Sequence, residues 1–579
     1  MRGGVTASGG SVADSRRRGG WSLACRTSAL VLAIATQPVT AQTQPVPPPP
    51  SASQVTPRSI APPDTIREPV APTTPMVAPS ARPPAGSEQL DVTPSAVTVR
   101  DGMPDMASAE RAIVDPLVGR EIRVSQLYEA AAAIEAAYIA RGYILARAYV
   151  PNQRLANGEP ASIAIVNGFI EELDLSGVPA RLRTPVRESL SHLVGRPGIT
   201  LASIERRLTL ASALPGTTLR SALATGKQFG GARLIITAKS DPVSGSLSYD
   251  NRLSNAFRNR QFTAQFTTNS LLGFGEQFYG YLSADPKDGL ASDAARRAFG
   301  GGVILLVGSN GARLNLEASR AITQPITIGL RTRDRFSKAS ARLSYPIVKD
   351  QRRDLLVTAS FERLIEQQVA PDFFNAILFR DNYSILRTNL DYGQRDPGTS
   401  FGFGASLVKG FGDRPRNFLS RGAATPNFAK LEVNANASTL LGQGFIGQLL
   451  VRGQMVFDGG VPSSEVFSLD GRDALSAFTS GQLVADEGVT VRAAVVRPFR
   501  IGALTLSPSV YGAAGRGWFA VPTPFDTSRA ASVGIGLDAS APVGASGMTA
   551  SLSIDYGRQF SNSFFPDKSR LGVSAALRF

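Results

Sequence analysis

Among 579 residues there is one cysteine, Cys25, and one histidine, His192. Cys25 lies within the first 41 residues, which read as an export signal. The exported chain then has no thiol for a disulfide, a nucleophile or a thiolate metal site. A lone histidine removes most imidazole acid–base and zinc chemistry. His192 sits in the helix-like stretch Ser189–Leu193 and reads as a surface or packing residue. Long hydrophobic runs are missing too. The chain is 43% hydrophobic, yet no run of about 18 apolar residues occurs. A bundle of membrane-spanning helices is thereby excluded. Charged residues are sparse at 18%, against roughly 25% in ordinary soluble proteins. Acids are scarcer than bases, with 46 Asp and Glu against 61 Lys and Arg, a formal +15. The first 41 residues carry five Arg and one Asp, so their removal leaves +11. No basic helix or aromatic nucleic-acid motif accompanies the scattered Arg residues, so nucleic acid is not an expected partner.

What is present changes character along the chain. Residues 1–41 form the expected signal peptide: Arg16–Arg18 and Arg26 precede the short apolar stretch Ala29–Ala35, and Val39-Thr40-Ala41 suits cleavage. Residues 42–89 hold 14 of the 39 prolines, a composition expected of an extended, disordered linker. Residues 90–240 alternate helical and strand patterns. Ser125 can cap a helix with Leu127, Ala131, Ile134 and Tyr138 on one face, ended by Gly142. Tyr143–Val150 and Ala161–Val166 are strand-like, with a turn at Asn157-Gly158. A second cycle runs through strand Ile170–Leu175, helix Arg183–Leu193, a helix from Thr200 and strand Ala232–Ala238. Two small α+β domains are expected, at residues 90–169 and 170–240.

From residue 241 the hydrophobic period becomes two. Val243, Gly245, Leu247 and Tyr249 alternate with Ser244, Ser246, Ser248 and Asp250. One face suits lipid and the other a polar lumen. Such segments start near 243, 260, 275, 295, 311, 335, 352, 383, 399, 426, 444, 489, 504, 529, 548 and 570. Sixteen is an even number, as closure of an antiparallel barrel requires. The expected fold is α+β periplasmic domains followed by an all-β, 16-stranded antiparallel transmembrane barrel over residues 241–579. Outer-membrane lipid and anionic lipopolysaccharide are expected partners of so basic a barrel. The last segment puts Leu571, Val573, Ala575, Leu577 and Phe579 on one face. Its terminal aromatic resembles the signal read by the bacterial barrel-assembly machinery, a partner during biogenesis. No nucleophile–base–acid set or phosphate loop appears, so an enzyme, a cofactor or a catalytic metal is not expected. Gly300-Gly301-Gly302 falls in a strand, where small residues relieve crowding.

Three ordered stretches resemble the two-partner secretion outer-membrane transporters, the haemolysin and haemagglutinin secretion family of the barrel-insertase superfamily. Tyr138–Asn167, with Gly142-Tyr143, Ala146-Arg147-Ala148, Pro151-Asn152-Gln153 and Asn157-Gly158, resembles that family's first periplasmic (POTRA) domain. Ile204–Gly216 resembles the second. Ser248-Tyr249-Asp250-Asn251 and Asn269–Gly273 resemble the start of its barrel. The resemblance implies a transporter that passes an unfolded exoprotein, such as a haemolysin or adhesin, from periplasm to cell surface. It implies cargo contacts in the POTRA domains, for which Tyr143, Arg147, Tyr149 and Gln153 are the candidates. A barrel insertase and a diffusion porin are the alternatives, and two α+β units before the barrel argue against a porin.

The resemblance also implies a sixth extracellular loop folded back into the barrel, here residues 460–488. In the family this loop carries a Val-Arg-Gly-Tyr/Phe motif whose Arg pairs with an Asp on a later strand. The stretch Pro462–Gly471 matches the loop's start, which places the motif on Leu475-Ser476-Ala477-Phe478. The Asp position falls on Ala513 in Tyr511–Gly515, on the lumen face by alternation from Leu506 and Val510. Both partners of the ion pair are replaced, by Ser476 and Ala513, so neither leaves a stranded charge. The loop is then expected to be held by neutral hydrogen bonds and packing through Phe478, with Arg472 and Asp473 as further candidate anchors.

Overall fold

The computed structural model describes residues 51–62, 82–326, 330–350, 352–412, 424–519, 527–544, 547–562 and 568–579. The expected signal peptide lies outside the described residues. No described helix is long and apolar enough to cross a membrane; the crossing elements are strands.

The first domain is built on helix Val124–Arg141. Leu127, Ala131, Ile134 and Tyr138 recur at helical spacing and are fully buried. Gly142 ends the helix at φ 102°, a left-handed position where a side chain would be strained. The expected strand Tyr143–Val150 shortens to Arg147–Tyr149. The amides of Tyr143, Ile144 and Ala146 are taken by turn bonds to Tyr138, Gly142 and Tyr143 carbonyls, so none is free for a ladder. Arg147–Tyr149 pairs antiparallel with Ala161–Val166, whose other side takes Val97–Arg100 in parallel. That parallel strand and helix Ala107–Val114 were not anticipated; four residues show no usable period.

The second domain folds Phe169–Gly177, Gly231–Ser240 and Thr217–Thr225 into one sheet, with Gly231–Ser240 central. Helices Ala180–Leu190 and Leu201–Ser212 cover it. Thr200 caps the latter by accepting from the Ser203 amide, and Ile204 and Leu208 are fully buried. Thr217–Thr225 is an unforeseen strand, because Thr217 and Ser221 share its buried face with Leu219 and Leu223 and blur the pattern.

Val243–Asp250 opens a closed antiparallel barrel that ends at Ser569–Arg578. Counting Glu487–Val496 and its short extension Phe499–Ile501 as one, since both pair with Leu504–Trp518, gives sixteen strands. Closure pairs Ser574–Arg578 with Asp250–Ser246. The second domain touches one end of the barrel. Arg206 donates to the Pro346 and Ile347 carbonyls, Arg207 to Ser309, and Arg313 to Ala213. That end carries tight turns and faces the periplasm; the longer loops lie at the other end.

Candidate functional site

The lumen is filled by two pieces of the chain itself. The first is residues 51–62. This corrects the expectation of a disordered linker for that part of the Pro-rich stretch. Ala52 and Ile60 are buried, and the turn is bonded to the wall at several points. The Ala52 amide donates to Asp334 at 2.8 Å. The Ser53 amide and hydroxyl donate to Glu366 at 2.9 and 2.8 Å. Arg296 donates to the Val55 carbonyl at 2.9 Å, and the Ile60 amide donates to Glu317 at 3.2 Å. Lumen carboxylates facing no water need donors, and a short turn of small residues supplies them. Proline counting could not see this, because the partners lie some 250 to 300 positions away along the chain. A Cβ on Gly300 would stand 2.7 Å from Ile60 Cδ1, so that glycine makes room for this segment.

The second piece is the expected in-folded loop. It turns back on a two-residue hairpin, Phe467–Ser468 against Val484–Ala485. Asp470 closes it internally, accepting from Ser468 Oγ and from the Gly481 and Leu483 amides at 2.6 to 3.0 Å. Phe467, Leu469, Leu475, Phe478, Leu483 and Ala485 pack with Ala513 and Ala530 of the wall.

Wall, loop and inner segment meet in one ion cluster, buried but for the half-exposed Arg58 side chain. Glu465 of the loop sits 3.0 Å from Arg387 and 2.7 Å from Lys430. Glu432 is shared by Lys430 at 2.7 Å, Arg387 at 3.2 Å and Arg58 of the inner segment at 2.7 Å. Arg387 also lies 3.5 Å from Glu362. Lys430 and Gln454 both donate to the Glu465 carbonyl, at 2.7 and 2.8 Å. Buried ions cost several kcal/mol each when unpaired, so displacing either piece leaves charges of the wall unpaired. A cavity of about 320 Å³ remains between them, lined by Arg58, Glu432, Arg452, Gln454, Phe467 and Val484 among others.

The motif positions lie together. Leu475, Ser476, Ala477 and Phe478 are all buried. Ala513 faces inward and is paired in register with Arg492. Arg492 lies over the Tyr511 ring at 3.8 Å and donates to Ser476 Oγ at 3.0 Å and to the Ala474 carbonyl at 3.3 Å. Arg570 donates to the Phe478 carbonyl at 2.6 Å. The polar hold is therefore charged, contrary to the neutral one expected from Ser476 and Ala513. The charge has moved from the loop to the wall. Arg472 reaches Asp538 at 3.3 Å with both side chains more than half exposed, a pair of small energetic value; Asp473 is exposed.

The candidate cargo residues of the first domain are engaged within the fold. Tyr143 donates to Asp105 at 2.9 Å. Arg147 lies 3.7 Å from Glu135. Gln153 bonds the Ser162 backbone through both amide atoms, at 2.7 and 2.8 Å. Tyr149 stacks edge-on against Phe229 of the second domain, centroids 6.0 Å apart. Phe229 is 79% exposed. No pattern in its neighbourhood marks it in the sequence. Glu465, Arg387, Lys430, Glu432 and Arg58 were likewise missed; lumen charges at alternate strand positions, as in Lys430 and Glu432, are the signal that could have shown them.

A family model described as haemolysin secretion/activation protein ShlB/FhaC/HecB matches residues 230–539. The chain belongs to this family. Its members are outer-membrane β-barrel transporters with periplasmic POTRA domains, and a ShlB-type POTRA model matches residues 100–168 of this chain. Two curated relatives are similar, the outer membrane transporter CdiB of Escherichia coli, 27% identical over 236 residues, and that of E. coli O6:K15:H31, 26% identical. Each match covers 40% of this chain and 39% of the relative, so it spans about two fifths of the curated protein's length. Among solved structures, CdiB from E. coli superposes with TM-score 0.68 at 19% identity over 87% of this chain and 94% of that one. CdiB from Acinetobacter baumannii gives 0.58 at 14% identity over 88% and 95%. These likenesses concern the fold.

Proposed function

We propose that the transporter takes an unfolded exoprotein from the periplasm and passes it through the barrel to the cell surface. The observation that carries this reading is the lumen: it is occupied by two chain segments, residues 51–62 and the loop from Gly460, held by one shared ion cluster. A diffusion porin would keep its path open, whereas here both segments narrow the path and moving either one widens it. The periplasmic domains supply reception. Thr217–Thr225 pairs only with Gly231–Ser240 among the described residues, so its outer edge is free to add an extended cargo strand. Phe229 and Tyr149 offer an exposed aromatic contact beside it. No covalent step belongs to this reading. The cargo class, a haemolysin or an adhesin, is set by the partner.

The barrel-insertase alternative draws on the seam. Five register pairs and the Phe579–Gly245 bonded pair join the last strand to the first, against ten register pairs joining the last strand to its other neighbour. A single experiment separates the two. Ser248 and Ala576 are register partners across the seam, and the exported chain has no native thiol. Oxidising a Ser248→Cys/Ala576→Cys pair leaves secretion intact if cargo travels through the lumen. Loss of secretion on oxidation, restored by reduction, supports lateral opening instead.

A further inference from the structure

The chamber between wall, loop and inner segment is lined by cations with unused donors. Arg452 enters it from strand Phe445–Asp458, on the same inward face as Gln454. Its register partners on the flanking strands are Asn434 and Thr490. The Phe467 ring of the loop lies 5.6 Å from its guanidinium. Among the described residues, none accepts a hydrogen bond from Arg452 and none forms an ion pair with it. Of the nearby acids, Asp470 is occupied by the Ser468 hydroxyl and the Gly481 and Leu483 amides, and Asp473 is exposed. Arg58 reaches the same chamber from the inner segment. Its Nη1 spans both Glu432 oxygens, at 2.7 and 2.8 Å, which leaves Nη2 and Nε without acceptors among the described residues.

The acids at the chamber wall are already shared. Between them, Glu432 and Glu465 pair with Arg58, Arg387 and Lys430. Glu362 pairs with Arg387 and Lys338. A half-buried guanidinium without a counter-charge is costly, and two that face one space repel each other. An anion between them relieves both costs. The chamber, about 320 Å³, falls at the lower end of small-ligand pockets, roughly 300–1,000 Å³. Its lining also offers the Asn434 amide, the Ser463 hydroxyl and the Gln54 amide nitrogen, whose Oε1 is taken by the Ser51 amide. Guanidinium forks bind oxyanions through paired hydrogen bonds.

We propose that this chamber binds a small oxyanion of the phosphate type, held between Arg58 of the inner segment and Arg452 of the wall. The occupant is a soluble anion, because the chamber lies inside the barrel, away from lipid. An oxyanion held there ties the inner segment to the wall. The site is complete only while residues 51–62 are seated, so the anion binds the closed lumen better than the open one and shifts the population towards closure.

The test uses the full-length transporter, with inorganic phosphate as the probe and chloride adjusted to constant ionic strength. In a planar bilayer, phosphate lowers the open-channel occupancy of the wild type. Isothermal titration of the detergent-solubilised protein shows saturable binding, a measurement that needs no variant. Arg452→Gln, with folding verified by heat-modifiable migration, weakens binding by about tenfold or more, as loss of one charge-assisted contact implies. Arg500→Gln, on the exposed extension Phe499–Ile501, leaves binding unchanged. Removing residues 51–62 takes Arg58 away and abolishes the phosphate response. No saturable binding by the wild type, undiminished binding by Arg452→Gln, an equal loss in Arg500→Gln, an open occupancy raised by phosphate, or a response that survives removal of residues 51–62 would each overturn the proposal.

Discussion

Ser476 and Ala513 show how much a single side chain can redistribute. Where the family has an Arg–Asp pair, this chain has a hydroxyl and a methyl, and Arg492 comes from the wall to the Ser476 hydroxyl and the Ala474 carbonyl. Ser476→Arg would set a second guanidinium beside Arg492 in a buried site, at a cost of several kcal/mol. The expected result is a loosened loop and a higher, more variable single-channel conductance. Adding Ala513→Asp places a carboxylate in register with Arg492 and should return conductance to the wild-type level. A double variant that records like Ser476→Arg alone would mean the two positions do not interact. In the first periplasmic domain, Tyr138 is buried, donates to Glu110 and accepts from the Met103 amide. Burial, and then the hydrogen bond to Glu110, push its hydroxyl pKa up. Tyr138→Phe leaves the Glu110 carboxylate and the Met103 amide without that partner. It should destabilise this domain by about 1–3 kcal/mol, measured as faster amide exchange over helix Val124–Arg141 while barrel strands exchange as before.

Two elements divide the labour of closing the barrel. The segment 51–62 closes the lumen, and its donors bond Asp334, Glu366 and Glu317. Deleting residues 51–62 should raise open-pore conductance even with the loop intact. Unchanged conductance would assign closure to the loop alone. The last strand closes the wall. Phe579 exchanges both backbone hydrogen bonds with Gly245, at 2.8 and 3.0 Å, and its ring packs where a Cβ on Gly245 would lie 2.6 Å away. Removing Phe579 subtracts two hydrogen bonds, about 2 kcal/mol, from a seam that otherwise holds five residue pairs. The heat-modifiable, folded band on a semi-native gel should weaken, and an undiminished band would count against a role in closure.

On the proposed function, the whole molecule joins reception to passage. The second periplasmic domain is bonded to the turn at Ser309 and to Pro346 of strand Arg333–Lys349 through Arg207 and Arg206, so a cargo strand added at Thr217–Thr225 would lie at the barrel's periplasmic mouth. Deletion of residues 90–240 should abolish secretion while the barrel still assembles. Secretion that survives this deletion would restore the porin reading. The ion cluster gives the two ends of the problem a common element, since Glu432 and Glu465 between them bind the inner segment, the loop and the wall.

The order of domains, the sixteen membrane-crossing segments and the family were legible in the linear pattern. Period-two alternation must run through every strand that separates lipid from lumen, and Leu127, Ala131, Ile134 and Tyr138 must share one helix face to bury. The in-folded loop was legible only through its resemblance at Pro462–Gly471. What fills and locks the lumen was not legible. Arg58 meets Glu432 at a separation of 374 residues, and Glu465 meets Arg387 at 78. No local period links such positions; closure of the barrel alone brings them together. Alternation determines which way each side chain points, whereas strand register, a property of the closed sheet, decides which side chains become neighbours.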